Sequence, residues 1–360
     1  VAVANSLRRQ ADTTGRRWTD VHEHEFGFEL GVCQWAERHW PAPATIVARQ
    51  LGTTHRRWDT VVVEADPGGL AARAAFGDRR LDSDLLRVVR HAPAEWAWYR
   101  DALPEPSFPW RYVREAVNDA ADRGLIDRRR RNGRVELRRR RPYPDWIDRV
   151  IAIENKPDLD ASAARALGPQ IEHDIALGLA DEVWVATRAT DETVEPVLLE
   201  DLPVEAGVLV AEPGRGVDRL KRVWEPRQLA VDQPGTRILD RPTGGEHDQS
   251  ACQVEYADQS WKAGKRREIA ERAYERGWRS YIQSMRPDCR HFELRPDAAV
   301  ARPHCQAKDR CQRPGECAGS CPDFEPEPPG LRSQGWPIEG GPGQAIKRLL
   351  ERQRDRTRPE

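Results

Sequence analysis

The sequence predicts an α/β protein in which a mixed sheet is flanked by helices, and three observations carry that expectation. An apolar run, Ile147–Lys156, is followed by a helix-period segment with Ala164, Leu167, Ile171, Ile175 and Leu179, and then by a second apolar run, Glu182–Thr187. Strand, helix and strand in that order build a sheet with a helix packed on it. Thr60–Glu64, Gly207–Ala211 and Leu220–Trp224 read as further strands. At 360 residues the chain exceeds one ordinary domain, so several folded units are expected.

Taken in order, residues 20–40 predict a helix from Phe26, Leu30, Cys33, Glu37 and Trp40, stopped by Pro41 and Pro43. A basic approach, His55-Arg56-Arg57-Trp58, leads into Asp59 and the Thr60–Glu64 strand, which Asp66-Pro67-Gly68-Gly69 ends as a turn. A separate module is expected over 69–142, with helical patches at Leu85–Val89 and Ala94–Tyr99 and a helix from Trp110 to about Asp122. Leu125–Arg131 and Arg134–Arg139 then flank Asn132-Gly133, a pair that accepts the positive φ angles of a tight hairpin. Helices followed by a basic hairpin resemble a winged helix. The stretch 110–141 holds twelve Arg against five acids, and Arg128, Arg129, Arg130, Arg131 and Arg134 are its candidate nucleic-acid contacts. Polar 233–258 reads as a linker and 262–285 as a helix. The Pro-, Gly- and acid-rich tail from 325 to 360 is expected to be largely disordered, with a short helix at 344–354.

Composition narrows the function classes. The formal net charge of −1 sums 58 basic and 59 acidic residues, and only six of the basic ones are Lys. That balance resembles a salt-adapted, haloarchaeal proteome, in which binding through phosphate charge alone is weak. No run of apolar residues is long enough for a membrane span and no secretory h-region opens the chain, so a cytoplasmic protein without membrane contact is expected. No Gly-rich loop of the Walker type is present, so ATP-driven action is not indicated.

The chemistry concentrates at Ile153-Glu154-Asn155-Lys156, where side-chain alternation puts Glu154 and Lys156 on one face directly after a buried run. Pairing this strand antiparallel to Thr60–Glu64 brings Asp59 beside Glu154. Two carboxylates with a lysine next door suit Mg²⁺ or Mn²⁺, a hard ion that shares one or two carboxylates with waters and a substrate phosphate. Asp148 shares Glu154's face but lies six residues away, roughly 20 Å at strand rise, too far to share one ion.

With these residues in place, 20–66 together with 145–225 resemble the PD-(D/E)xK nuclease superfamily, the restriction-endonuclease-like fold. The resemblance is closest to a haloarchaeal family with a winged-helix-like insertion and a Cys-rich C-terminal segment. It implies a catalytic set of Asp59, Glu154 and Lys156, with Glu29 (or Glu25) from the first helix and Gln170 from the helix after the strand. It also implies a nuclease-like domain split into 15–68 and 143–232, because Asp59 and Glu154 stand 95 positions apart with the 69–142 module between them.

Five cysteines crowd near the C-terminus in the 259–324 segment: Cys289, Cys305, Cys311, Cys317 and Cys321. Four thiolates suit structural Zn²⁺, with Cys289, Cys305, Cys317 and Cys321 as the expected ligands and Cys311 spare; a [4Fe–4S] cluster is the alternative. The expected function is metal-dependent hydrolysis of DNA phosphodiester bonds, with an RNA substrate left open. The competing expectation is a non-catalytic DNA-binding or regulatory protein that uses the nuclease fold as a scaffold. Oligomeric state and substrate structure have no signature in the sequence.

Overall fold

The computed structural model of the chain describes residue 25 and residues 27–188, 201–211, 220–240, 253–278, 289–297, 300–311 and 321–325. Helix α1 covers 27–39. Two strands follow, β1 (Thr45–Gly52) and β2 (Arg57–Ala65), then the helices α2 (Pro67–Ala74) and α3 (Ser83–His91). The strand β3 (Ala97–Trp98), helices α4 (Tyr99–Ala102) and α5 (Trp110–Asp122), and strands β4 (Ile126–Arg131) and β5 (Arg134–Arg139) complete the middle of the chain. After them come β6 (Ile147–Asn155), α6 (Ala161–Leu177), β7 (Glu182–Arg188), β8 (Gly207–Ala211), β9 (Leu220–Trp224), β10 (Gly235–Asp240) and β11 (Gln253–Ala257). The last elements are α7 (Gln259–Arg276) and the small strands β12 (Phe292–Asp297), β13 (Val300–Cys305) and β14 (Arg310–Cys311).

The fold is mixed α/β. Six strands form one sheet in the order β1-β2-β6-β7-β8-β9, in which β6, β7 and β8 run parallel and the other neighbours pair antiparallel. One face carries α6 and α7, packed through Leu167, Ile171, Ile269 and Tyr274 onto Val61, Val63 and Ala152. The other carries α1, whose Phe28, Val32 and Trp35 cover Val62, Ile151 and Ile153. Helix α6 starts at Asp160, which caps the amide of Ala163. It stops at Gly178, whose φ of 56° is the left-handed cap that glycine adopts without penalty.

The segment between β2 and β6 leaves and returns at one point. The Asp66 amide donates to the Trp146 carbonyl at 3.1 Å. Gly69 lets the two backbones touch there, since a Cβ would meet the Asp145 carbonyl oxygen at 2.6 Å. The excursion has its own core of Leu81, Leu85, Val89, Val113, Val117 and Leu137, and its strands pair in the order β3-β5-β4. At its base Arg73 and Glu271 form a fully buried ion pair at 2.5 Å. Glu271 also accepts from the Tyr143 hydroxyl at 2.8 Å and from the Leu81 amide at 2.7 Å, so α7 is bolted to both ends of the excursion.

Three sequence expectations are corrected. Residues 94–99 are not a helix: Ala97 and Trp98 pair with β5, and helix begins only at Tyr99. Residues 67–74 are helix α2 rather than a turn, because Asp66 caps Gly69 and Pro67 sits at the first helical position, where its missing N–H is no loss. The 233–258 segment, read as a linker, contains the antiparallel pair β10–β11 among its described residues. β1 has no counterpart in the sequence reading. The expected first-helix positions 20–24, the start of the expected domain at 15 and the tail from 326, including 344–354, lie outside the described residues.

Breaking a buried ion pair from one side strands the other charge in the core, at a cost of roughly 3–5 kcal/mol. Glu271→Ala is therefore expected to lower unfolding stability by about that amount in a urea titration. A loss under about 1 kcal/mol would show that the bolt is dispensable.

Candidate functional site

The site lies where β2 begins and β6 ends. Thr60 pairs with Ile153, so the next register step sets Asp59 opposite Glu154. Glu154 is buried, and both of its oxygens are held: Oε1 accepts from Arg56 Nη2 at 2.5 Å and Oε2 from Gln170 Nε2 at 2.8 Å. Arg56 is buried too, and its Nε and Nη2 donate to the two oxygens of Asp174 at 2.6 Å each. Trp58 Nε1 adds a third donor to Asp174 at 2.8 Å. Gln170 and Asp174 are one turn apart on α6, which is why one helix face reaches both carboxylate and guanidinium.

Asp59 belongs to a second group on the α1 side. Its Oδ2 accepts from the Asn155 amide at 2.9 Å and its Oδ1 from Gln50 Nε2 at 3.2 Å. The same Gln50 nitrogen donates to Glu29 Oε1 at 3.0 Å, and Arg49 Nε pairs with that oxygen at 2.9 Å. Gln50 can span the two acids because its φ is 54°. That left-handed conformation costs an L residue roughly 1–2 kcal/mol. It also resets β1: Ala44, Ile46 and Ala48 face the α6–α7 core, and the next residue to do so is Leu51. The break in alternation hides β1 from a period-two reading and turns Gln50 toward Asp59.

Lys156 follows β6, with its amide on the Ala186 carbonyl at 2.9 Å. Its side chain is half-buried and makes no hydrogen bond or ion pair among the described residues. Asn155, between Glu154 and Lys156, points the other way: its Nδ2 donates to Thr60 Oγ1 at 3.1 Å, and Cys33 Sγ lies 3.4 Å from the same hydroxyl.

The electrostatics follow from burial. Desolvation pushes the Glu154 carboxyl up to about 8; Arg56 pulls against it, and the Asp59 and Asp174 carboxylates push the same way as burial. Burial likewise raises Asp174, against Arg56 and the Trp58 hydrogen bond. Burial, reinforced by the Glu29 carboxylate, pushes the Cys33 thiol up to about 12.

Of the residues singled out in the sequence, Glu154 and Gln170 are in direct contact, and Glu29 and Asp59 are joined through Gln50. Four residues of the network escaped sequence reasoning: Arg49, Gln50, Arg56 and Asp174. Asp174 did leave a signal, because it interrupts the buried stripe Ala164, Leu167, Ile171, Leu177 of an otherwise apolar helix face. Near the C-terminus Cys289 is buried, Cys305 and Cys321 are half-buried and Cys311 is exposed, while Cys317 lies outside the described residues. β13 and β14 set Cys311 opposite His304, a buried residue whose Nδ1 has no partner among the described residues. Among the described residues, no three of His, Cys, Asp and Glu gather in metal-holding geometry. In the excursion Arg130 and Arg131 are exposed, whereas Arg129 pairs with Glu136 at 2.7 Å and lies 4.2 Å over Trp96. Arg128 donates to Asn118, and Arg134 stacks on Trp98 at 4.7 Å.

A family model described as a family of unknown function, DUF5787, matches residues 46–326. The chain belongs to that family. The matched span takes in the six-stranded sheet, the excursion, α7 and Cys289, Cys305, Cys311, Cys317 and Cys321. No curated protein and no solved structure matches it. Among the described residues, no helix is long and apolar enough to cross a membrane.

A raised, buried thiol has little thiolate to react. Brief iodoacetamide treatment of the native chain at pH 8 is expected to label exposed Cys311 and spare Cys33, as read by peptide mass mapping. Labelling of Cys33 at the rate seen in urea would contradict its packing between α1 and the sheet.

Proposed function

We propose that this chain is a divalent-metal-dependent nuclease of the PD-(D/E)xK type, acting on DNA. The observation that carries the reading is a pair of neighbouring carboxylates: Asp59 at the start of β2 acts electrostatically on Glu154 at the end of β6, whose only charge partner among the described residues, the Arg56 guanidinium, is shared with Asp174. Carboxylates that repel one another beside a shared guanidinium favour a divalent cation, whose charge would also draw the Glu154 carboxyl back down.

The donor set fits Mg²⁺ or Mn²⁺, because Asp59 and Glu154 offer only oxygen and each held oxygen keeps a second lone pair. When bound between them, such an ion polarises a phosphoryl oxygen and stabilises the leaving group. The chain's own residues do the rest. Arg56 and Gln170 fix the Glu154 carboxylate, and Gln50 ties Asp59 to Glu29. Lys156, on Glu154's face and without a partner among the described residues, orients the attacking water at its Nζ.

The order α3, β3, α4, α5, β4, β5, with β3 pairing on β5, supports a winged-helix reading of the excursion. In that reading Arg130 and Arg131 at the hairpin tip grip the phosphate backbone, with Arg128, Arg129 and Arg134 behind them. The C-terminal cysteines Cys289, Cys305, Cys317 and Cys321 hold structural Zn²⁺, or alternatively a [4Fe–4S] cluster. Buried His304 supplies a further unfilled donor there.

A second reading, a DNA-binding scaffold without catalysis, is favoured by one observation: both Glu154 oxygens already accept hydrogen bonds. Cleavage of labelled single- and double-stranded DNA in Mg²⁺ or Mn²⁺ separates the two. The parent chain is expected to cut, and Lys156→Ala to cut on the order of 10²-fold more slowly with DNA binding unchanged. Undiminished cleavage by the variant would sink the catalytic assignment, and DNA binding without cleavage by the parent would favour the scaffold.

A further inference from the structure

A cavity of about 580 Å³ opens beside the β1–β2 tip, outside the carboxylate site. Its wall includes Thr54 from the tip, Arg80 and Ser83 from the entry to α3, and Trp261, Lys265 and Arg272 from α7. The volume lies within the roughly 300–1,000 Å³ of small-molecule sites and far exceeds what a single inorganic anion fills.

The charges on this wall are unequally matched. Lys265 is paired with Glu268 at 2.7 Å, and Arg80 has Glu275 at 3.7 Å. The Asp82 carboxylate is spent on the Leu85 amide at 2.9 Å. Arg272 has no carboxylate partner among the described residues. It reaches across to the Gly52 carbonyl and leaves its Nε buried with no acceptor. Burial holds Arg272 below its ordinary range, and the Arg80 guanidinium adds to that against Glu268. A desolvated guanidinium with an unfilled N–H and a like charge nearby is short of one anion, and Arg is the side chain best suited to phosphate. Beside it the Trp261 ring offers a flat apolar surface, with the Arg237 guanidinium 5.6 Å from its centroid at the rim. Arg237 is paired with Glu255, yet its Nε too is buried without an acceptor.

We infer that this cavity binds a mononucleotide unit, with the phosphate on Arg272 and Arg80 and the base against Trp261. A free nucleotide and the 5′-phosphorylated end of a nucleic-acid strand share that chemistry. The inference does not rest on the nuclease reading, because nothing in it uses Asp59, Glu154 or Lys156.

The test is isothermal titration of the full chain, without divalent metal, using adenosine 5′-monophosphate, adenosine, and a tetrathymidylate with and without a 5′-phosphate. The phosphorylated probes are expected to bind and their unphosphorylated counterparts to bind at least about ten-fold more weakly. Binding of the monophosphate identifies a free-nucleotide site, and binding of the phosphorylated tetramer alone identifies a strand-end site; either supports the inference. Arg272→Gln is expected to weaken binding by roughly ten-fold or more. Thr54→Glu, at an exposed tip position that leaves Arg272 and its Gly52 contact intact, is expected to do the same by placing a carboxylate in the cavity. No binding of either phosphorylated probe by the parent, equal binding of adenosine and its monophosphate, or unchanged affinity in Thr54→Glu would overturn it.

Discussion

Burying Arg56 is the constraint on which the rest of the site depends. A guanidinium cannot leave water unless its donors are filled and its charge is met, and leaving either undone costs several kcal/mol. Arg56 stands at the tip between β1 and β2, and the fold answers it from two other elements: Asp174 bidentate from α6 and Glu154 from the end of β6. Its Nη1 closes on the carbonyl of Arg57 at 2.6 Å, and Trp58 holds Asp174 in place. The position of Glu154 is thus set by a charge requirement as well as by strand register. Asp59, one register step away, is carried to the same place.

A second constraint makes that register possible across a long interruption. Closing a loop as long as residues 66–146 costs entropy, but the cost grows only slowly with length. The excursion also brings its own core and a neck in which backbone meets backbone at Gly69. Arg73 and Glu271 finish the neck by locking α2, Tyr143 and α7 together. The sheet therefore experiences the excursion as a short hairpin would be experienced, and β2 pairs with β6 as if nothing intervened. The cavity beside the tip is bounded by the elements this bolt holds: the tip itself, the entry to α3, and α7.

Much of this was legible where local pattern and tertiary role coincide. β6, α6 and β7 announce themselves because they are buried on the side their periodicity indicates, and the β4–β5 hairpin because Asn132-Gly133 accepts positive φ; the Asn132 φ is 50° and that of Gly133 is 74°. What stayed hidden depends on distant partners or broken periods. Arg56 reads as part of a basic approach, since its acceptor Asp174 lies 118 positions on. β1 escaped because the left-handed Gln50 shifts Leu51 onto the face that simple alternation denies it. β10 and β11 are short strands whose Val254 and Tyr256 are exposed, so no buried face announces their pairing. The pairing of Glu154 and Lys156 on one face was readable from spacing alone, whereas the guanidinium that holds Glu154 was not.

In the proposed nuclease Asp59 and Glu154 together hold one divalent ion, although Arg56 already occupies one Glu154 oxygen. Anomalous scattering from crystals of the full chain grown with Mn²⁺ tests it most directly. The account predicts a peak bonded to oxygens of both Asp59 and Glu154 at about 2 Å, absent from crystals of Glu154→Gln. A parent structure in which Mn²⁺ stays in solution while Glu154 remains closed on Arg56 and Gln170 would contradict it.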